Sequence, residues 1–193
     1  MTKSEIIKWL DDKLSPDLYR HSIAVQNIME ELTLLYGVDR EKASLAGLAH
    51  DCAKSIPRKD FLTSARQLHV TIDELMLIHP ILLHAPLGAR IAELEFGIKD
   101  TEILRAIETH SIGSMEMSTL DRMLYVADSA EPNRDYSDVE KIRDLVFSGD
   151  LDGALLKAMD IKITYVVNKG LMLHPLTVEA RNKILRGRCN IGA

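Results

Sequence analysis

The sequence predicts an all-α protein of roughly ten helices, and three observations carry that expectation. Leu, Ile, Ala, Met, Glu and Lys are plentiful while aromatics make up only 5% of the chain, a balance that favours helix over sheet. Apolar residues recur at spacings of three and four along most of the sequence. Helix start and stop signals are regular, whereas the short strand-like runs lack hairpin turns.

Ser4 is placed to cap a first helix running to about Asp12, which offers Ile6, Ile7, Trp9 and Leu10 for packing. Pro16 precedes a long helix from Asp17 to Tyr36, closed by Gly37. On it Leu18, His21, Val25, Ile28, Leu32 and Leu35 form one seam, so His21 takes a core position. Asp39 caps the next helix, which runs to about Lys54 and stops before Pro57. Ala43, Ala46, Gly47, His50 and Lys54 share one side of it, and the small residues permit close helix approach.

Shorter helices follow at 58–68 and 73–78, then the segment "HPILLHAP". Pro86 opens a helix to about Phe96, ended by Gly97. Asp100 or Thr101 opens another, on which Ile103, Ile107 and His110 line up. Ser118 or Thr119 starts a helix through Ala130, where Leu120, Leu124 and Ala127 or Asp128 share a face and Pro132 stops it. Helices at 138–147, 151–168 and 177–186 complete the set. Met115, Met117 and Met123 suit core or loop packing, and "DVEKIRD" reads as a solvated helix face.

With 193 residues, no repeat and no long linker, residues 1–193 are expected to form a single domain. Net charge is −5 with no basic stripe, which argues against a nucleic-acid polymer as partner. No apolar run reaches the ~18 residues of a membrane span, and "MTKSEIIKWLDDKL" lacks the apolar stretch of a signal peptide. Cys52 and Cys189 form neither a CxxC motif nor a disulfide framework, which suits a reducing compartment. A cytoplasmic location is expected. Ile6, Ile7 and Trp9 can pack on the domain or on a second subunit, which leaves a homodimer open.

The chemically capable residues are His21, His50, Asp51, His84, His110 and Asp128. Singly each is weak: a histidine on an apolar seam is commonly a hydrogen-bonded core residue, and "HD" dipeptides are frequent. Jointly they are harder to dismiss. Asp51 and Asp128 both sit in apolar surroundings, where an unpaired carboxylate costs several kcal/mol. A divalent cation satisfies all of these groups together. Imidazole and carboxylate without thiolate suit iron, manganese or cobalt better than a structural zinc site. On a continuous helix, His50 and Asp51 point about 100° apart, so they can embrace one metal or let the carboxylate bridge two.

The pattern His21, His50-Asp51, Asp128 resembles the H…HD…D signature of the HD-domain superfamily of metal-dependent phosphohydrolases. "YRHSIAV" (19–25), "LAHDCAK" (48–54), "LLHAPLGA" (82–89), "AIETHSIG" (106–113) and "YVADSAEPNRDY" (125–136) together resemble the YqeK family. That resemblance spans residues 5–186 and implies a single HD-domain helical bundle. Its metal-binding core would lie at about 17–131, with C-terminal helices at about 138–186 packed on it. It implies symmetrical hydrolysis of diadenosine tetraphosphate to two ADP. It makes His21, His50, Asp51 and Asp128 the core ligands, and matches His84 and His110 to the extra histidines of HD proteins with a two-iron centre. Asp51 would then bridge, and a hydroxide between the metals would attack an inner phosphate. If one metal binds, His84 and His110 become phosphate-contacting or proton-transfer groups instead.

Asp51, His84, His110 and Lys54 are therefore the catalytic candidates, and a dinucleoside polyphosphate is the expected partner. Lys54, three residues after Asp51, can reach a phosphate, and Arg134 just past the Asp128 helix suits bidentate phosphate binding. Arg20 is a further phosphate candidate, and Glu131 can orient Arg134 or a metal-binding histidine. "GLMLHPLT" (170–177), with His174 and Thr177, can wall a nucleoside pocket or simply pack on the core. His79 is expected near the site entrance, His69 at the surface, and Cys52 buried and unligated. Two rival readings stay open. One is an HD hydrolase of nucleoside monophosphates, deoxynucleoside triphosphates or guanosine tetraphosphate; the other is a nucleotide-binding sensor without turnover.

Overall fold

Capping residues decide where most helices begin. The computed structural model describes residues 1–189 as eleven α-helices and three 3-10 helices, with no strand among the described residues. The helices are α1 (Lys3–Lys13), α2 (Pro16–Tyr36), α3 (Arg40–Ala49), α4 (Phe61–Gln67), α5 (Glu74–Ile78) and α6 (His84–Leu94). They continue as α7 (Thr101–Thr109), α8 (Thr119–Ala130), α9 (Val139–Phe147), α10 (Leu151–Asn168) and α11 (Pro175–Cys189). Short 3-10 helices cover Cys52–Ser55, Arg58–Asp60 and Pro80–Leu83. The all-α expectation holds. Residues 190–193, which the expected domain includes, and the side chain of Cys189 lie outside the described residues.

Ser15, Asp39, Asp100 and Ser118 each accept a backbone N–H at the start of their helices, satisfying donors that have no partner inside the helix. Gly37 closes α2 in the left-handed conformation at φ 66°, which glycine alone adopts freely. At α1 the cap is Thr2 rather than Ser4, because Thr2 and Glu5 satisfy each other's backbone donors in a capping box. The seam of α2 runs through His21, Val25, Ile28 and Leu32 but not Leu35, which is 50% exposed. Tyr36 turns inward instead, and its hydroxyl donates to the Val146 carbonyl at 2.5 Å.

One apolar cluster joins Ile6 and Leu10 of α1 to Leu87 of α6, Leu120 and Leu124 of α8, Leu155 and Met159 of α10 and Ala180 of α11. Met117 and Met123 belong to it too. Trp9 meets Phe96 edge to face with ring centroids 5.0 Å apart, so the apolar side of α1 lies against its own chain. No described helix is long and apolar enough to cross a membrane.

Two glycines permit the close approaches that build the centre. A Cβ on Gly47 would stand 2.9 Å from the Gln26 Cα, so α3 lies almost directly on α2. A Cβ on Gly88 would stand 2.9 Å from the His50 carbonyl oxygen, where α6 crosses the end of α3. This crossing accounts for a departure from expectation: α3 stops at Ala49 and does not continue to Lys54. Gly88→Ala is expected to lower unfolding free energy by about 1–3 kcal/mol, the usual cost of overpacking, despite alanine's better helix propensity. Denaturant titration of both proteins measures it.

Candidate metal centre

Helix ends carry three of the four site histidines. His50 follows the last residue of α3, His110 follows the last residue of α7, and His84 opens α6 directly after the 3-10 helix Pro80–Leu83. In all three the ring Nδ1 lies against the carbonyl three residues earlier: His50 on Gly47 at 2.7 Å, His84 on Ile81 at 2.6 Å, His110 on Ile107 at 2.7 Å. A carbonyl only accepts, so each Nδ1 carries the hydrogen and each neutral ring presents a bare Nε2 lone pair. The same bond satisfies a carbonyl left unpaired at a helix end. His21, inside α2, has its Nδ1 3.2 Å from Glu131 Oε1.

The four Nε2 atoms converge on Asp51. Its Oδ2 lies 3.6 Å from His21 Nε2 and 3.4 Å from His50 Nε2. Its Oδ1 lies 3.7 Å from both His84 Nε2 and His110 Nε2. Asp128 Oδ1 completes the first side, 3.2 Å from His21 Nε2 and 3.9 Å from His50 Nε2. Asp51 is fully buried, and its Oδ1 has no hydrogen-bond partner among the described residues.

Within each pair, His21 with His50 and His84 with His110, the Nε2 atoms stand 3.1 Å apart. For His84 and His110, neutral rings would set lone pair against lone pair, which only a shared positive charge relieves. Ligand nitrogens about 2.1 Å from one metal stand roughly 3 Å apart at right angles. Two donor groups, His21/His50/Asp51 and Asp51/His84/His110, each place their ligand atoms within 4.8 Å of one another. The residues fit a metal ion at either oxygen of Asp51.

The electrostatics agree. Burial works to raise the Asp51 pKa, but His50, then Lys54 and His84, outweigh it and hold the carboxyl well below the usual range. Burial pushes His110 far down and His84 down, so both remain neutral donors at pH 7. At His50 burial disfavours the charge, yet the adjacent Asp51 carboxylate prevails and its pKa rises. The centre attracts positive charge.

A family model for the HD domain matches residues 18–133, a span that contains all six of these side chains. The chain belongs to the HD-domain family. A protein from Halalkalibacterium halodurans named symmetrical bis(5'-nucleosyl)-tetraphosphatase is 33% identical over 185 residues, covering 96% of this chain and 98% of its own. A Bacillus subtilis protein of the same name is 31% identical over 187 residues, 97% of this chain and 100% of its own. A crystal structure from Clostridium acetobutylicum, described as a predicted HD superfamily hydrolase involved in NAD metabolism, is similar with a TM-score of 0.92 at 34% identity, covering 96% and 98% of the two chains. The YqeK resemblance carried by the five quoted stretches stands.

Around the HD centre the cations are unevenly committed. Lys54 Nζ donates to Asp51 Oδ2 at 2.5 Å, although the intervening backbone is a 3-10 turn and not the expected continuous helix. Arg134 donates to the Asp128 carboxylate at 2.9 Å and to its carbonyl at 3.0 Å. Arg20 is exposed and pairs with Asp17, yet lines the same small cavity as His21, Lys54 and Arg134.

Glu131 is buried, and His21 and Asn133 occupy its two oxygens, the latter through its backbone N–H at 2.7 Å and its amide at 2.8 Å. Its carboxylate thus faces His21, and Arg134 Nε stands 3.6 Å from the same oxygen. Glu131→Ala is expected to weaken metal binding about 10- to 100-fold, as loss of a histidine's supporting carboxylate does elsewhere. Metal titration of the apoprotein measures it.

His174 and Thr177 make their hydrogen bonds to residues other than these six. His174 Nε2 is 2.9 Å from Asp73 Oδ2, its Nδ1 accepts from Leu176 N at 3.2 Å, and Thr177 donates to the Ile112 carbonyl at 2.9 Å. The core-packing alternative for "GLMLHPLT" is the one these bonds favour. Arg143 in "DVEKIRD" faces inward and donates to the carbonyls of Ala130, Glu131 and Arg134 at 2.9, 2.8 and 2.9 Å, clamping the turn after α8. Two further residues with no sequence signal stand out. Asn133 fixes Glu131, and Lys162 of α10 sits 4.3 Å above the Tyr125 ring while donating to the Ser111 carbonyl at 3.2 Å. Cys52 is buried, its thiol is pushed up by burial, and it donates to the Gly88 carbonyl at 3.4 Å.

Proposed function

We propose that this HD protein is a metal-dependent hydrolase that splits diadenosine tetraphosphate symmetrically into two ADP. The observation that carries the reading is Asp51, which offers Oδ2 to His21 and His50 and Oδ1 to His84 and His110. His21, His50, Asp51 and Asp128 would hold one ion, and Asp51, His84 and His110 a second. Iron suits this nitrogen and carboxylate set, and manganese or cobalt would use the same donors. The bound ions supply an activated water near neutral pH and a clamp for phosphate oxygens.

The chain's own residues do the rest. Lys54 and Arg134 line the small cavity beside His21 and offer positive charge to a phosphate chain as its charge grows toward the transition state. Arg20 extends the same cationic rim. Glu131 keeps the His21 ring oriented with Nε2 toward Asp51. The buried surroundings of Asp51 and His110 keep bulk water from the centre. The contiguous apolar cluster supports a single domain, in which α9 to α11 brace the metal-binding core.

The test is product identification. Protein loaded with iron or manganese should convert diadenosine tetraphosphate to ADP alone, faster than it hydrolyses nucleoside monophosphates, deoxynucleoside triphosphates or guanosine tetraphosphate. Formation of ATP and AMP, or no turnover by metal-loaded protein, would overturn the reading.

A further inference from the structure

We propose that the enzyme reads only one nucleoside of its substrate, in a cavity along α10, and reads the opposite half through its phosphates alone. The inference rests on the dinucleoside polyphosphate reading above. Two cavities flank the edge formed by Asp128 and Arg134, and Arg134 lines both. Both are of ligand size, about 660 Å³ and about 340 Å³, so volume does not separate them. Lining chemistry does.

The smaller cavity, on the His21 side, is lined by three cations, Arg20, Lys54 and Arg134, by the carboxylates of Asp17 and Glu131 and by Leu18, with no Phe, Tyr or Trp. A nucleobase stacks best on an aromatic face, and beside the His21 ring, whose Nε2 is turned to Asp51, this wall offers only Leu18. Three converging cations suit a phosphate chain.

The larger cavity, on the Asp128 side, also carries three cations, Arg134, Lys157 and Lys162, with the carboxylates of Asp128, Asp138 and Asp160, and differs in adding tyrosine rings and apolar helix surface. Ala158, Ile161, Lys162, Tyr165 and Asn168 line it from α10, at the three- and four-residue spacing of one helix face. Tyr136 stands on the wall formed by the turn after α8, held there by a hydrogen bond to the Ser129 carbonyl. Tyr165 is 58% exposed and presents ring surface to the cavity on which a base can stack, with Lys169 Nζ 5.8 Å from the ring centroid. Lys162 holds its ammonium 4.3 Å from the Tyr125 ring centroid, where burial lowers its pKa and the Asp128 carboxylate opposes that shift. The cavity therefore pairs an ammonium near the metal side with aromatic and apolar surface, the layout of an α- or β-phosphate joined to an adenosine.

A midpoint cleavage breaks the central P–O–P bridge and leaves one ADP on either side of the broken bond. With unlike walls, the two halves are not recognised alike. A substrate with one nucleoside should therefore suffice. Adenosine 5′-tetraphosphate, seated with its adenosine in the α10 cavity, would take up one water across its central P–O–P bond and give ADP and pyrophosphate.

Calorimetry on metal-loaded protein tests the binding half with ADP and pyrophosphate as probes. Wild type should bind one ADP tightly. Tyr165→Ala should weaken ADP at least about fivefold, the value of a base–aromatic stack, without weakening pyrophosphate; Lys162→Met should weaken both. Val167→Ala, exposed on α10 but outside the cavity, serves as the control. Unchanged ADP binding in Tyr165→Ala, or two ADP bound with equal affinity, would overturn the proposal.

In turnover, adenosine 5′-tetraphosphate should reach kcat/KM within about tenfold of diadenosine tetraphosphate; a loss of a thousandfold would overturn the one-sided reading. Absence of any turnover beside normal, Tyr165-dependent ADP binding would instead sink the hydrolase assignment and leave the cavity assignment standing.

Discussion

Asp51→Ala is expected to abolish stoichiometric metal binding and to lower hydrolysis at least about a thousandfold, since metal-ion catalysis contributes several kcal/mol. Asp51 is the only residue common to both donor groups, so its removal takes a ligand from each at once. The same change should leave the helices formed. In the metal-free chain Asp51 is a wholly buried carboxylate with one unpartnered oxygen, and such a group contributes little net stability. Its ion-pair partner Lys54 retains some solvent access and can turn outward. Circular dichroism should therefore place the melting temperature of the metal-free variant within a few degrees of the metal-free wild type. Excess metal should raise the wild-type midpoint and leave the variant's unmoved, because only a folded chain that binds ligand gains stability from it. Metal retained at wild-type stoichiometry, with turnover within tenfold, would refute the assignment of Asp51.

The helical class and the convergence of the six side chains were legible because both rest on short-range signals. Ser15, Asp39, Asp100 and Ser118 cap through their own side chains, and Asp51 and Asp128 are carboxylates in apolar runs that demand compensation. The manner of convergence was not legible. A continuous helix through Lys54 would have separated His50 and Asp51 by their angular offset, whereas the chain breaks at Ala49 because α6 crosses there at Gly88. That crossing joins segments about forty residues apart, and no local propensity encodes it.

Arg143 misled for a related reason. Its position among charges suggests solvent, but α9 turns Val139, Ile142 and Val146 inward and carries the guanidinium onto the carbonyls that end α8. Lys162 gave no signal because a lysine becomes informative only when its burial is known. His174 and Thr177 left two readings open, a nucleoside pocket or core packing, and their contacts with Asp73 and the Ile112 carbonyl favour the second.

His110→Ala is expected to remove one metal and keep the other. His110 meets Asp51 only at Oδ1, on the side it shares with His84, while His21, His50 and Asp128 gather on the Oδ2 side. Its ring stands 5.0 Å from those of both His50 and His84, so truncation leaves room but no substitute donor. Metal analysis should fall from two ions per chain to one, and hydrolysis should drop by about a hundredfold or more, the several kcal/mol that one ion's charge supplies. His50→Ala is the complementary variant and should empty the Oδ2 side instead. The pair of variants separates the two mechanisms left open by the sequence. If a single ion works beside His21 and His50, His110→Ala will lose turnover with metal content unchanged, and His84 and His110 act on phosphate or proton directly. If two ions work together, content and turnover fall in step. The lone-pair encounter of His84 with His110 at 3.1 Å, each ring held by a backbone carbonyl, favours the second outcome, since two neutral imidazoles have no other reason to meet nitrogen to nitrogen.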